Sequence, residues 1–149
     1  MEVRVKKLNP QATLPHYQTD QAAAMDVHAC LDVPMTLQPL ERAMVPTGLA
    51  FELPDGYEMQ VRARSSLSIK HGITMVNGVG TIDADYRGEL NILVINLGQE
   101  AFTIDPDMRI AQLLVTKYEQ VQWQLTEESL SETARGSSGF GSTGFDNKA

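Results

Sequence analysis

The sequence predicts an all-β sandwich or barrel, on three observations. Short runs of alternating apolar and polar residues recur along most of its 149 residues. Turn residues separate these runs, at Pro54-Asp55-Gly56, Gly98-Gln99-Glu100 and Asp105-Pro106-Asp107. Between them, Ser65 to Gly72 breaks the β pattern with the signature of one short helical turn.

The elements follow in order. Val3 and Val5 alternate with Arg4 and Lys6 in a short strand, and Asn9-Pro10 and Pro15 mark the loop after it. Gln21 to Met25 can open a helix, which Pro34 and Pro39 keep from running long. Asp26 to Leu31 reads as a strand that begins at Asp26. Leu49, Phe51 and Leu53 alternate with Ala50 and Glu52, and after the turn Tyr57, Met59, Val61 and Ala63 alternate with charged or amide residues. These two strands are expected to pair as a hairpin. In Ser65 to Gly72 a serine supplies the cap and the glycine the stop. Leu90 to Leu97 is nearly all apolar, the pattern of a strand covered on both faces. Ala101 to Ile104 returns after its turn, Ile110 to Val115 is a further apolar strand, and Val121, Trp123 and Leu125 form a last candidate.

Composition narrows the function. At 42% hydrophobic and 21% charged, the chain is globular and long enough for a real core. A net charge of −7 argues against non-specific nucleic-acid binding, so a polyanionic ligand needs clustered arginines and a metal cation. Cys30 stands alone, which leaves no intramolecular disulfide and no cysteine zinc cage. Met1 to Lys7 holds no apolar run long enough for a signal peptide or a membrane span, so a cytoplasmic enzyme or binding protein is expected. His16, His28 and His71 lack metal-ligand spacing, and neither a serine-hydrolase elbow nor a zinc-deaminase signature is present. Beyond Thr126 the composition changes, dividing the chain into a β domain, 1–126, and an arm, 127–149, whose last residues are expected to be mobile without ligand.

Three stretches can carry chemistry. In Gly80 to Glu89, Asp83 and Asp85 share a face of an extended chain and Tyr86 opposes them. The glycines Gly80 and Gly88 suit either a tight solvated hairpin or a backbone that approaches a ligand. Arg64-Ser65-Ser66 lies where a strand gives way to a helical turn, which is either an anion site or a plain capped turn. Gln112, beside Arg109 in an apolar strand, is either edge-exposed or turned toward a site. The glycine-rich tail is not a Walker A loop. It is either a solubilising segment or a cover in which Phe140 lies over a planar ligand while Arg135 and nearby hydroxyls meet phosphates.

Five segments in order carry a resemblance that covers nearly the whole chain. They are Ala24-Met25-Asp26-Val27, Arg64 to Ser68 with Lys70-His71-Gly72, Asn77 through Glu89, Arg109 to Leu113, and Arg135 through Gly144. Together they resemble the motifs of the trimeric dUTP diphosphatases (dUTPases). The departures are Ala24 and Ser66 where glycine is usual, Val27 where a larger apolar residue is usual, and Ala63 where proline is frequent.

The resemblance implies a jelly-roll-like β domain, a homotrimer with active sites shared between subunits, and dUTP as substrate. It implies hydrolysis to dUMP and pyrophosphate with Mg²⁺, which keeps uracil out of DNA and supplies dUMP. By motif, Asn77 and the backbone at Gly80, Thr81 and Ile82 would read uracil, and Tyr86 would pack under the deoxyribose and exclude a 2′-hydroxyl. Asp83 would orient and deprotonate the attacking water; the part played by Asp85 stays open. Arg64, Ser65, Ser66 and Gln112 would hold the triphosphate, with Mg²⁺ bridging its oxygens and Asp26 steadying the metal through water. Arg135 would meet the γ-phosphate, Phe140 would stack on uracil, and Gly141, Ser142 and Thr143 would close over the phosphates. The rival readings are a same-fold dCTP deaminase, with or without diphosphatase activity, and a dUTP-binding regulatory module without turnover.

Overall fold

Strand pairing in the computed structural model, which describes residues 1–139, organises Met1–Glu119 as one compact unit; the described residues from Gln120 onward belong to a second. The strands are β1 (Arg4–Lys7), β2 (Met25–His28), β3 (Met35–Leu37), β4 (Arg42–Glu52) and β5 (Tyr57–Ala63). After the helix α1 (Ser65–His71) come β6 (Ile73–Met75), β7 (Gly80–Ile82), β8 (Glu89–Asn96), β9 (Phe102–Ile104) and β10 (Arg109–Lys117). Two four-stranded antiparallel sheets, β1-β4-β8-β6 and β2-β10-β5-β7, are joined by the small β3-β9 pair. Alternate residues of both sheets meet in one core built on Val27, Val45, Met59, Ile92, Val94 and Leu113. Burying each such side chain contributes about 1.5–3 kcal/mol.

Consecutive strands repeatedly change sheet, and this corrects the expected hairpin. Leu49 to Glu52 belongs to β4, which pairs with β1 and β8, while β5 pairs with β10 and β7. The turn itself forms as anticipated, with Gly56 at φ 79° and the Tyr57 N–H donating to the Pro54 carbonyl at 3.3 Å. Alternation marks which face of a strand is buried. It looks the same for strands paired edge to edge and for strands facing each other across a core. Gly80 to Glu89 is likewise no hairpin: β7 pairs with β5, and β8 with β4 and β6, so the segment crosses between sheets. Nor does β9 fold back on β8; it pairs with β3. The bend between them is held by buried Asn96, whose Nδ2 donates to the carbonyls of Leu37 (3.0 Å) and Glu100 (2.8 Å).

Other expectations change at single elements. Gln21 to Met25 is a turn leading into β2, with the Ala22 N–H on the Thr19 carbonyl at 3.1 Å, and no helix forms there. The expected serine cap of α1 is absent: Arg64 holds the N-cap position without a side-chain bond. The Ser68 hydroxyl instead reaches the carbonyls of Arg64 and Ile73 at 3.2 and 3.0 Å. Gly72 ends the helix in the left-handed region as predicted, at φ 71°. β8 is covered on one face only. Leu90, Ile92 and Val94 point into the core, whereas Leu93 and its cross-strand partner Met44 are exposed. The alternation of Val121, Trp123 and Leu125 produces no strand; Trp123 is 92% exposed.

Candidate active site

The site begins with a carboxylate that the fold buries. Asp26 on β2 is only 3% exposed and lies directly opposite Gln112 of β10. Its Oδ2 accepts from Arg109 Nη1 at 3.0 Å, while Oδ1 is 3.5 Å from Arg64 Nε and accepts from Gln112 Nε2 at 3.3 Å. Arg64 Nη1 also donates to the Arg109 carbonyl at 3.0 Å. A buried charge is tolerable only when paired and hydrogen-bonded, and here both oxygens are engaged. Two guanidinium groups against one carboxylate leave a local surplus of positive charge on a chain whose net charge is −7. Asp26 therefore positions three donors, with neither oxygen left free.

Strand β5 lies between this cluster and a second group of candidate residues. Ala63 pairs with Ala111 on one side and Val61 pairs with Gly80 on the other. Beyond Ala63 come Arg64 and the exposed Ser65 and Ser66 of the first helical turn, whose first backbone bond runs from the Ser68 N–H to the Arg64 carbonyl at 3.0 Å. The N–H groups ahead of it are free of intrahelical partners.

Gly80 is flat against Val61: an added Cβ would stand 3.1 Å from the Val61 Cβ and 3.4 Å from Asn77 Nδ2. The exposed Asn77 amide and the Gly80 backbone are thus neighbours, brought together by the turn between β6 and β7 in which Gly78 takes φ 71°. Thr81 is exposed and Ile82 half-buried.

Past β7, exposed Asp83 opens a turn whose carbonyl accepts the Tyr86 N–H at 3.2 Å. Tyr86, 46% exposed, donates its hydroxyl to the Glu89 carbonyl at 3.0 Å. Its ring occupies the space a side chain at position 88 would need, so Gly88 serves by its missing Cβ, without a left-handed φ. Arg87 Nη1 braces the turn from within by donating to the carbonyls of Ala84 (2.6 Å) and Tyr86 (3.0 Å). Asp85 is exposed in the same turn.

A family model described as dUTPase matches residues 10–144. The chain belongs to the dUTPase family. The deoxyuridine 5′-triphosphate nucleotidohydrolase of Rickettsia felis is 51% identical over 144 residues, covering 96% of this chain and 97% of that protein. That of Orientia tsutsugamushi is 49% identical over 148 residues, covering 97% and 99%. Among solved structures, the dUTPase of Staphylococcus bacteriophage 80alpha with dUpNHpp superposes with a TM-score of 0.87 at 26% identity, covering 96% of this chain and 98% of that one. The sheets described above are the dUTPase jelly roll.

Within that fold Asp26, Arg64 and Gln112 converge, Asn77 meets Gly80, and Asp83 and Tyr86 share one turn. Arg135 stands in the second unit, where its Nε donates to the Ser138 carbonyl at 2.9 Å. Phe140, Gly141, Ser142 and Thr143 lie outside the described residues. Arg109 opens the fourth motif segment but carries no role by sequence. The structure gives it the shortest bond to Asp26 of the three donors, across 83 residues of chain that no local pattern bridges.

Cys30 is a free thiol, half-buried. Burial first, then the carboxylates of Glu89, Asp32 and Asp107, push its thiol above the ordinary value.

Proposed function

We propose that this chain hydrolyses dUTP to dUMP and pyrophosphate. The observation that carries the reading is the Asp26-centred cluster of Arg64, Arg109 and Gln112, set in a chain of the dUTPase family. In this reading Arg64, Gln112 and the hydroxyls of Ser65 and Ser66 receive the triphosphate. Asn77 and the backbone at Gly80, Thr81 and Ile82 read the uracil edge, and the Tyr86 ring fills the space a ribose 2′-hydroxyl would need. Asp83 takes a proton from a water whose oxygen attacks the α-phosphorus. The bond from that phosphorus to its bridging oxygen breaks and pyrophosphate leaves. A positioned general base of this kind contributes about 10²–10⁴-fold.

The residues present fit Mg²⁺ carried by the nucleotide. Among the described residues no group of three histidine, cysteine or carboxylate side chains stands ready to cage a metal. The Asp26 oxygens are committed to Arg64, Arg109 and Gln112, so Asp26 would steady a nucleotide-borne metal through water and not as a direct ligand. When bound, Mg²⁺ supplies charge neutralisation on the phosphate oxygens.

The proposal extends to a homotrimer with shared sites, in which the arm of residues 127–149 closes a neighbour's pocket. Arg135 would then meet the γ-phosphate, Phe140 would stack on uracil, and Gly141, Ser142 and Thr143 would lie over the phosphates. The uncovered apolar face at Leu93 and Met44 and the exposed Val121, Trp123 and Leu125 support assembly. A cytoplasmic setting belongs to the same proposal; among the described residues no helix is long and apolar enough to cross a membrane.

The test is pyrophosphate release from dUTP, dCTP, dTTP and UTP side by side, with and without Mg²⁺. Cation-dependent release from dUTP alone is expected. Ammonia from dCTP would establish a deaminase, and dUTP binding without release would establish a regulatory module.

A further inference from the structure

The turn ahead of β2 reaches into the Asp26 cluster through a residue outside all five sequence motifs. Gln18 Oε1 accepts from Arg109 Nη1 at 3.1 Å, across 91 residues of chain. The same nitrogen donates to Asp26 Oδ2 at 3.0 Å. A terminal guanidinium nitrogen carries two hydrogens, so Asp26 takes one and Gln18 the other. Asp26 alone leaves the guanidinium free to rotate about a single contact; the second acceptor fixes its plane. Arg64 Nη1 docks on the backbone carbonyl of the same residue at 3.0 Å, so Arg109 meets both Asp26 and Arg64.

The orientation of the Gln18 amide follows by elimination. Arginine only donates, so the amide oxygen must face Arg109 and the amide nitrogen must face the other way. There it meets His16 Nε2 at 2.7 Å. An amide nitrogen only donates, so His16 Nε2 must accept, and its proton sits on Nδ1. The backbone holds this arrangement in place: His16 bridges to Asp26, whose N–H donates to the His16 carbonyl at 3.1 Å. The His16 ring stacks on His28 with centroids 5.8 Å apart, and His28 Nδ1 is anchored on the Asp107 carbonyl at 2.8 Å.

We propose that Gln18 is a positioning residue for the triphosphate end of the site, acting through Arg109, with its amide oriented by His16 in the Nδ1–H tautomer. The kinetic part rests on the proposed dUTP hydrolysis; the tautomer does not.

Two readouts test it on the full-length protein. Long-range ¹H–¹⁵N NMR, at a pH where the imidazole is neutral, should show His16 protonated on Nδ1 in the wild type. In Gln18→Ala the ring should return to the Nε2–H form that free imidazoles favour. In Gln18→Glu the carboxylate still accepts from Arg109 but now needs a donor from His16, so the Nδ1–H signature should again vanish. For turnover, Gln18→Ala should raise KM for dUTP about three- to tenfold with kcat and Tm unchanged, the weight of one ordinary net hydrogen bond. Nε2–H in the wild type, or an unchanged KM in Gln18→Ala, would overturn the proposal. A wild type that fails to hydrolyse dUTP would refute the reaction instead, and the His16 tautomer would still decide how Gln18 is oriented.

Discussion

The Asp26 cluster and the Asp83–Tyr86 turn are both polar and both sit beside β5 and its partners, yet they are built on opposite principles. The first is buried and long-range: a carboxylate at 3% exposure tied to side chains 83 and 86 residues away. The second is exposed and local, held by main-chain carbonyls within a few residues of one another. A buried ion-pair cluster arrives preformed and resists rearrangement, whereas an exposed turn leaves its carboxylate open to water. In the proposed reading, binding and rigidity belong to the first region and proton transfer to the second. It also says that damage to each should be read by a different instrument.

Substitution at Asp83 should give the largest effect and leave the fold alone. Asp83→Asn is expected to lower kcat by about 10²–10⁴ with dUTP affinity and Tm unchanged; a comparable kcat would move the base elsewhere and collapse the contrast. Asp26→Asn should do the reverse and act mainly on stability. Leaving two guanidinium groups without their counter-charge should cost about 2–4 kcal/mol by urea denaturation, less than for a sealed pair because the Arg109 side chain is 42% exposed. Gly88→Ala sharpens the comparison from the other side. Its methyl would collide with the Tyr86 ring, so the turn must shift. About 1–3 kcal/mol of destabilisation is expected, with poorer discrimination of dUTP from UTP in paired kinetic assays. The smallest effect concerns neither region: with its thiol pushed upward by burial, Cys30 should react with iodoacetamide more slowly than a free cysteine at neutral pH.

Much of the molecule was legible in one dimension. The alternation at Tyr57 to Ala63 became β5, and Gly72 stopped the helix where its freedom at φ 71° was needed. Partners were harder to see. Leu49 to Leu53 and Tyr57 to Ala63 looked like a hairpin because burial of one face says nothing about which edge a strand shares. Leu93 looked buried because an apolar side chain reads the same whether this chain or another surface covers it. The motif segments identified Asp26, Arg64 and Gln112 as a set through the family resemblance, while the bonds among them depend on register between β2 and β10, and Gln18 carried no local signal at all.

The register shift in β10 explains how that set can exist. Arg109 and Gln112 are three residues apart, an odd count that would send them to opposite faces of a regular strand. Between Arg109 and Ala111 the strand advances two residues while β2 advances one, from His28 to Val27. That one surplus residue, Ile110, restores the parity, so both side chains arrive on the face of Asp26 while Ile110 itself drops into the core. The proposed binding end of the site therefore depends on a number as much as on an identity. Deleting Ile110 would keep every polar residue of the cluster and still divide it between two sides of the sheet.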